Sequence, residues 1–92
     1  MIGTQDLTAV RSQFPALSET MRGHELVYFD NGATSLKPQR VIDAITGYYR
    51  EYSANIHRGV YEMSARATAA YDTARERVKR LVGADETGEV IF

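Results

Sequence analysis

The chain alternates apolar segments of clear period with polar, glycine-bearing ones, and that alternation predicts its elements. Asp6 suits a helix N-cap. Leu7, Val10 and Phe14 follow at helical spacing and Pro15 closes the segment, so a short first helix is expected. Leu17 to Glu25 is polar, contains Gly23 and shows no period, as expected of a surface connection. Leu26-Val27-Tyr28-Phe29 is β-branched and aromatic and runs into the turn formers Asp30-Asn31-Gly32, which predicts a short strand. Ala33 to Lys37 makes a poor return strand, so the turn is expected to lead into a helix rather than close a hairpin.

Pro38 is compatible with a first helical turn, where its missing N–H costs nothing. Val41, Ile42, Ile45, Tyr48, Tyr49 and Tyr52 then recur at three- and four-residue intervals, predicting a second helix from about Pro38 to Tyr52 with one broad apolar face. Gly47 inside it costs about 1 kcal/mol relative to alanine, which suggests close packing at that point. Residues 53–63 have no clean period and read as a loop carrying polar groups. Ser64 is expected to cap the longest helix, which runs to Val82 and is closed by Gly83. Its buried stripe would be Ala67, Ala70, Tyr71, Ala74, Val78, Leu81 and Val82, with Glu76 facing Arg80 on the other side. Glu89-Val90-Ile91-Phe92 is β-prone and the sequence stops within it, so the length is expected to reflect a fragment. The order of elements is that of an α-rich opening to an α/β chain.

Composition narrows the function classes. The 92 residues are 43% hydrophobic and 25% charged, with a formal net charge of -1, as in a soluble globular domain. Eleven basic residues against twelve acidic ones leave no global field to attract nucleic acid or an anionic membrane. The absence of cysteine favours a reducing compartment, and MIGTQDLTAV lacks the order of a signal peptide, so a cytoplasmic location is expected. His24 and His57 are far apart with no regular carboxylate set, which gives metal binding little support. The cluster Arg75, Arg77, Lys79 and Arg80 reads as a solvated helix end, and Tyr48, Tyr49 and Tyr52 as packing.

Two loops carry candidate chemistry. Asp30-Asn31-Gly32-Ala33-Thr34 leaves a strand and enters a helix, where small residues let backbone approach a ligand. The residues alone favour an ordinary turn there. His57-Arg58 places a neutral-pH acid or base beside a planar fork for a carboxylate or phosphate. Taken alone, this pair is also more often solvated than functional.

The ordered segments Val10-Arg11-x-x-Phe14-Pro15-x-Leu17, Tyr28 to Lys37-Pro38, Asn55-Ile56-His57-Arg58-Gly59 and Ser64-x-x-Ala67-Thr68-x-x-Tyr71-x-x-Ala74-Arg75 resemble the start of a cysteine desulfurase. The resemblance is closer to the SufS-type branch of the class V aminotransferase superfamily, and it covers about Leu7 to Phe92. It implies a PLP-dependent transferase of fold type I, of which these residues form an α-rich N-terminal part. Residues 1–25 would be an N-terminal helix and connection, and 26–92 the start of the transferase fold, with one short strand and the beginning of a large-domain sheet strand.

The resemblance also implies an activity: a homodimer that converts L-cysteine to L-alanine and passes an enzyme-bound persulfide to a sulfur-acceptor protein for iron–sulfur cluster assembly. The cofactor lysine and nucleophilic cysteine are expected beyond Phe92, since neither Lys37 nor Lys79 matches the family lysine. These residues by themselves are therefore expected to be inactive and to bind no pyridoxal phosphate. Carried over to this sequence, Gly32 and Ala33 match a small-residue loop near the substrate, and His57 and Arg58 match a pair at the rim of the active site. With the resemblance, a functional His57–Arg58 loop becomes the favoured reading. Two alternatives are another class V lyase or aminotransferase, such as a selenocysteine lyase-like enzyme, and a truncated, non-catalytic dimerisation or binding module.

Overall fold

A computed structural model describes residues 6–92. Their helices are α1 (Leu7–Ser12), α2 (Gln39–Glu51) and α3 (Glu62–Leu81), with a 3₁₀ turn at Pro15–Ser18 and strands β1 (Thr20–Met21) and β2 (His24–Glu25). The chain divides into two compact units, residues 1–46 and 47–92; α2 gives its first turns to one and its last to the other.

In the first unit, the Asp6 carboxylate accepts from the Thr8 N–H at 2.9 Å, as expected of an N-cap. The helix ends at Ser12, and the Gln13 carbonyl goes on to accept from the Gln39 N–H at 2.7 Å, which satisfies an otherwise orphaned amide at the start of α2. The Arg11 guanidinium donates to the carbonyls of Leu17 (3.3 Å) and Leu26 (3.2 Å), tying α1 to the segments on either side of the hairpin.

The connection expected between Leu17 and Glu25 lies on the surface, but it holds a hairpin that its lack of period did not predict. β1 and β2 pair antiparallel, with Thr20 opposite Glu25 and Met21 opposite His24. Arg22 (φ 54°) and Gly23 (φ 81°) form the two-residue turn between them. Positive φ at both central positions matches the twist of a tight hairpin; the arginine hides it from a reading tuned to Asn-Gly or Asp-Gly. The strand expected at Leu26–Phe29 is also corrected: it is extended chain outside any sheet. Its Leu26 N–H bonds the Glu19 carbonyl at 3.2 Å, but Val27 and Phe29 are exposed. A strand exists only through a partner, and β-propensity does not supply one. Glu89–Phe92 is likewise outside any sheet among the described residues.

α2 begins one residue after Pro38, whose carbonyl accepts from Val41 and Ile42. Its expected apolar face forms but is covered only at its C-terminal end: Tyr48 and Tyr52 are half-buried, while Val41, Ile42, Ile45 and Tyr49 are exposed. Close packing at Gly47 is absent too, since a Cβ there would meet only the Glu51 carboxylate at 4.0 Å. Periodicity says which side a helix would bury; it does not provide the covering element.

In the second unit, Tyr48 meets the Tyr52 ring edge-on at 5.3 Å and Tyr49 at 5.4 Å. Arg66 lies 4.9 Å over the Tyr52 ring and 3.7 Å from the Glu51 carboxylate. The expected stripe of α3 is buried at Ala67 and half-buried at Tyr71, while Ala70, Ala74, Val78, Leu81 and Val82 are exposed. No ion pair joins Glu76 to Arg80; among the described residues the pairs are His57–Asp72 and Arg66–Glu51. Arg75 departs from the solvated-end reading, being half-buried with its Nε shielded. The C-terminus of α3 is as expected: Gly83 (φ 72°) donates to the Arg80 carbonyl and Ala84 to that of Lys79, a Schellman closure.

Candidate functional site

The two candidate loops fall in different units, and each is built in its own way. The Asp30–Thr34 turn closes on itself: the Asp30 carbonyl accepts from the N–H groups of Ala33 (3.0 Å) and Thr34 (3.2 Å). The Tyr28 hydroxyl donates to the Thr34 carbonyl at 2.6 Å, and the Lys37 ammonium donates to the Thr34 hydroxyl (3.3 Å) and the Ser35 carbonyl. Gly32 and Ala33 are exposed on this turn, and a Cβ on Gly32 would meet nothing within 4 Å. Beside the turn lies a hollow of about 300 Å³, lined by Phe14, Leu17, Tyr28, Asn31, Ser35 and Leu36.

The His57–Arg58 loop rests instead on α3. Ser64, expected as the helix cap, is instead the third residue of a helix that starts at Glu62, with Tyr61 at the cap position and no side-chain cap. It is fully buried, and its hydroxyl donates to the Asn55 carbonyl (2.6 Å) while accepting from the Gly59 N–H (3.1 Å). A buried hydroxyl satisfied in both directions anchors the loop to the first turn of α3. One turn on, the Thr68 hydroxyl accepts from the His57 N–H at 2.9 Å; another turn on, Asp72 lies 3.3 Å from His57 Nε2. Ser64, Thr68 and Asp72 thus form an i, i+4, i+8 row on one face of α3. The His57 ring also stands edge-on to Tyr71 at 5.6 Å, and Tyr71 edge-on to Phe92 at 5.3 Å. His57 has φ 61°, a left-handed conformation that a non-glycine residue holds only when its surroundings fix it.

Arg58, next along, is exposed and makes no hydrogen bond or ion pair with any described residue. The loop therefore pairs a fixed imidazole with an uncommitted guanidinium, a combination suited to meeting a carboxylate or another anion. Reading for apolar period missed Thr68 and Asp72 and misassigned Ser64. The signal that would have found them is their four-residue spacing.

Residues 27–92 match the family model described as aminotransferase class-V. The chain belongs to that family. It is 48% identical over its whole length to a probable cysteine desulfurase of Mycobacterium leprae (strain TN), covering 15% of that relative. Over 87 residues it is 48% identical to a cysteine desulfurase of Synechococcus elongatus, 95% of this chain and 14% of the relative. The apo structure of a cysteine desulfurase from Thermococcus onnurineus NA1 superposes with a TM-score of 0.76 at 39% identity, over 92% of this chain and 20% of that one. The fold class expected from the sequence, an α-rich part of the fold type I transferase, therefore stands. The chain spans between 13% and 22% of the length of the curated relatives it matches. Among the described residues no helix is long and apolar enough to cross a membrane.

Proposed function

We propose that the whole protein is a PLP-dependent cysteine desulfurase of the SufS type, to which these residues contribute the rim of the active site. It converts L-cysteine to L-alanine, carries the sulfur as a persulfide, and delivers it to an acceptor protein for iron–sulfur assembly. It works as a cytoplasmic homodimer, and the cofactor lysine and reactive cysteine lie outside these residues. The observation that carries the reading on this chain is the exposed Arg58, unpaired among the described residues, beside a fixed His57. The names of the relatives supply the reaction class. Arg58 meets the substrate carboxylate or the persulfide, and His57 supports the loop.

The described residues do not themselves make a PLP cradle. The Lys37 ammonium is engaged by Thr34 and Ser35, and Lys79 lines a charged hollow with Arg75, Glu86 and Glu89. The role of these residues is substrate contact at the rim.

The test is turnover by the whole protein with added PLP, L-cysteine and a thiol reductant that releases the persulfide sulfur as sulfide, assaying sulfide and alanine together. Both products in equal amounts are expected, and neither would sink the assignment. Arg58→Ala is expected to lower kcat/KM by about tenfold or more, as loss of a charge-assisted contact does.

A further inference from the structure

His57 is held at three points. Its N–H is bonded to Thr68, its ring nitrogen to Asp72, and its ring lies perpendicular to that of Tyr71. It is also a non-glycine residue in the left-handed region, at φ 61°. Arg58, the next residue, has no hydrogen bond or ion pair to any described residue. A peptide whose preceding residue is pinned at both amide and ring leaves Arg58 a fixed root and a free guanidinium.

Neither Thr68 nor Asp72 is needed by α3 itself. A helical threonine ordinarily turns its hydroxyl to a carbonyl of its own helix, whereas this one accepts from a loop amide. Asp72 sits mid-helix, too far from the N-terminus to favour the helix dipole, and its pair with His57 is about half exposed, a setting in which an ion pair contributes little stability. What the two residues share is their target.

We propose that Thr68 and Asp72 are positioning residues. They hold His57 in its left-handed conformation so that Arg58 is presented, pre-oriented, to the carboxylate of an amino-acid substrate. This rests on the desulfurase reading for the identity of the substrate, though not for the anchoring itself. Pre-orientation lowers the ordering cost of binding, so its loss is expected mainly in KM.

The test uses the whole protein and two readouts. Thr68→Val keeps the branched shape and removes the acceptor; Thr68→Ser restores it. Amide hydrogen exchange in the 55–59 segment is expected to speed up by about tenfold in Thr68→Val and return close to the original rate in Thr68→Ser. The KM for L-cysteine is expected to rise about three- to tenfold in Thr68→Val and Asp72→Ala, with kcat changing less, and Thr68→Val is expected to add nothing in an Arg58→Ala background. Unchanged exchange in Thr68→Val overturns the anchoring, and an equal KM effect with and without Arg58 overturns the positioning. Should the protein release no sulfide or alanine from L-cysteine, the desulfurase reading fails on that assay, while the anchoring is still decided by exchange.

Discussion

The 30–34 turn and the 55–59 loop have similar lengths and similar polar content, yet they are held by opposite means. The first is closed by its own residues and by Tyr28 and Lys37 within a few positions. The second is held by side chains 5 to 15 residues away along the sequence, all presented by one helix. A turn of the first kind carries its geometry with it. A loop of the second kind exists only while α3 is formed, so its conformation inherits the rigidity of that helix.

The sharpest way to break this contrast is to add one methyl group to each loop. A Cβ on Gly59 would lie 2.5 Å from both Cβ and Oγ of Ser64 and 2.8 Å from the Tyr61 ring, distances that real Cβ atoms do not tolerate. Gly59→Ala should therefore unseat the loop and destabilise the protein by about 1–3 kcal/mol, as overpacking does. Gly32→Ala should stay within roughly 0.5 kcal/mol, since its new methyl meets open space. Thermal unfolding of the two variants of the whole protein measures both; similar losses would refute the distinction.

Removing one hydroxyl from each loop gives a smaller but cleaner comparison. Ser64→Ala leaves the Gly59 N–H and the Asn55 carbonyl without their shared partner in a part-buried place, which should cost about 1 kcal/mol or more. Tyr28→Phe removes the bond to the exposed Thr34 carbonyl, where water takes over, and should cost about 0.5 kcal/mol or less. Local exchange in each segment is the measurement, and a larger effect from Tyr28→Phe than from Ser64→Ala would reverse the picture.

The same contrast explains what the sequence made legible. α1 with its Asp6 cap, the loop at Asp30–Thr34, the course of α2 and the Gly83 closure of α3 all depend on neighbours within a turn, and each was readable. The strand expected at Leu26–Phe29 needed a distant partner and failed for want of one, while the Thr20–Glu25 hairpin was hidden by an arginine in a left-handed position. At the candidate site, the residue pair His57–Arg58 was visible as chemistry, but its support was not. Ser64 looked like a cap because serine before an apolar-periodic run usually is one, and Thr68 and Asp72 were passed over as the polar side of a helix.

The smallest effect comes from a third turn, at Asp85–Gly88, which shows how far a self-closed turn can be loosened without disturbing its surroundings. The Asp85 carboxylate accepts from the Thr87 hydroxyl (2.6 Å) and from the N–H groups of Thr87 (2.9 Å) and Gly88 (3.1 Å). The Thr87 hydroxyl above all, then its N–H, favours the charged form and holds the carboxyl below its ordinary value of 3.8. A carboxylate depressed on folding stabilises the folded state at pH values above that ordinary value, and the contribution is lost as the pH falls through the lower, folded one. Between neutrality and about pH 5 the turn should therefore be insensitive to pH, and it should loosen only in more acidic solution. Titrating the Asp85 carboxyl carbon by NMR should give a midpoint below 3.8, and Thr87→Val should bring it back up. Thr87→Val should leave exchange in the 55–59 segment unchanged, because that loop is fastened to the body of α3 by Ser64, Thr68 and Asp72 and not by the Asp85 turn. Faster exchange in the 55–59 segment of Thr87→Val would mean that the two kinds of loop are not independent after all.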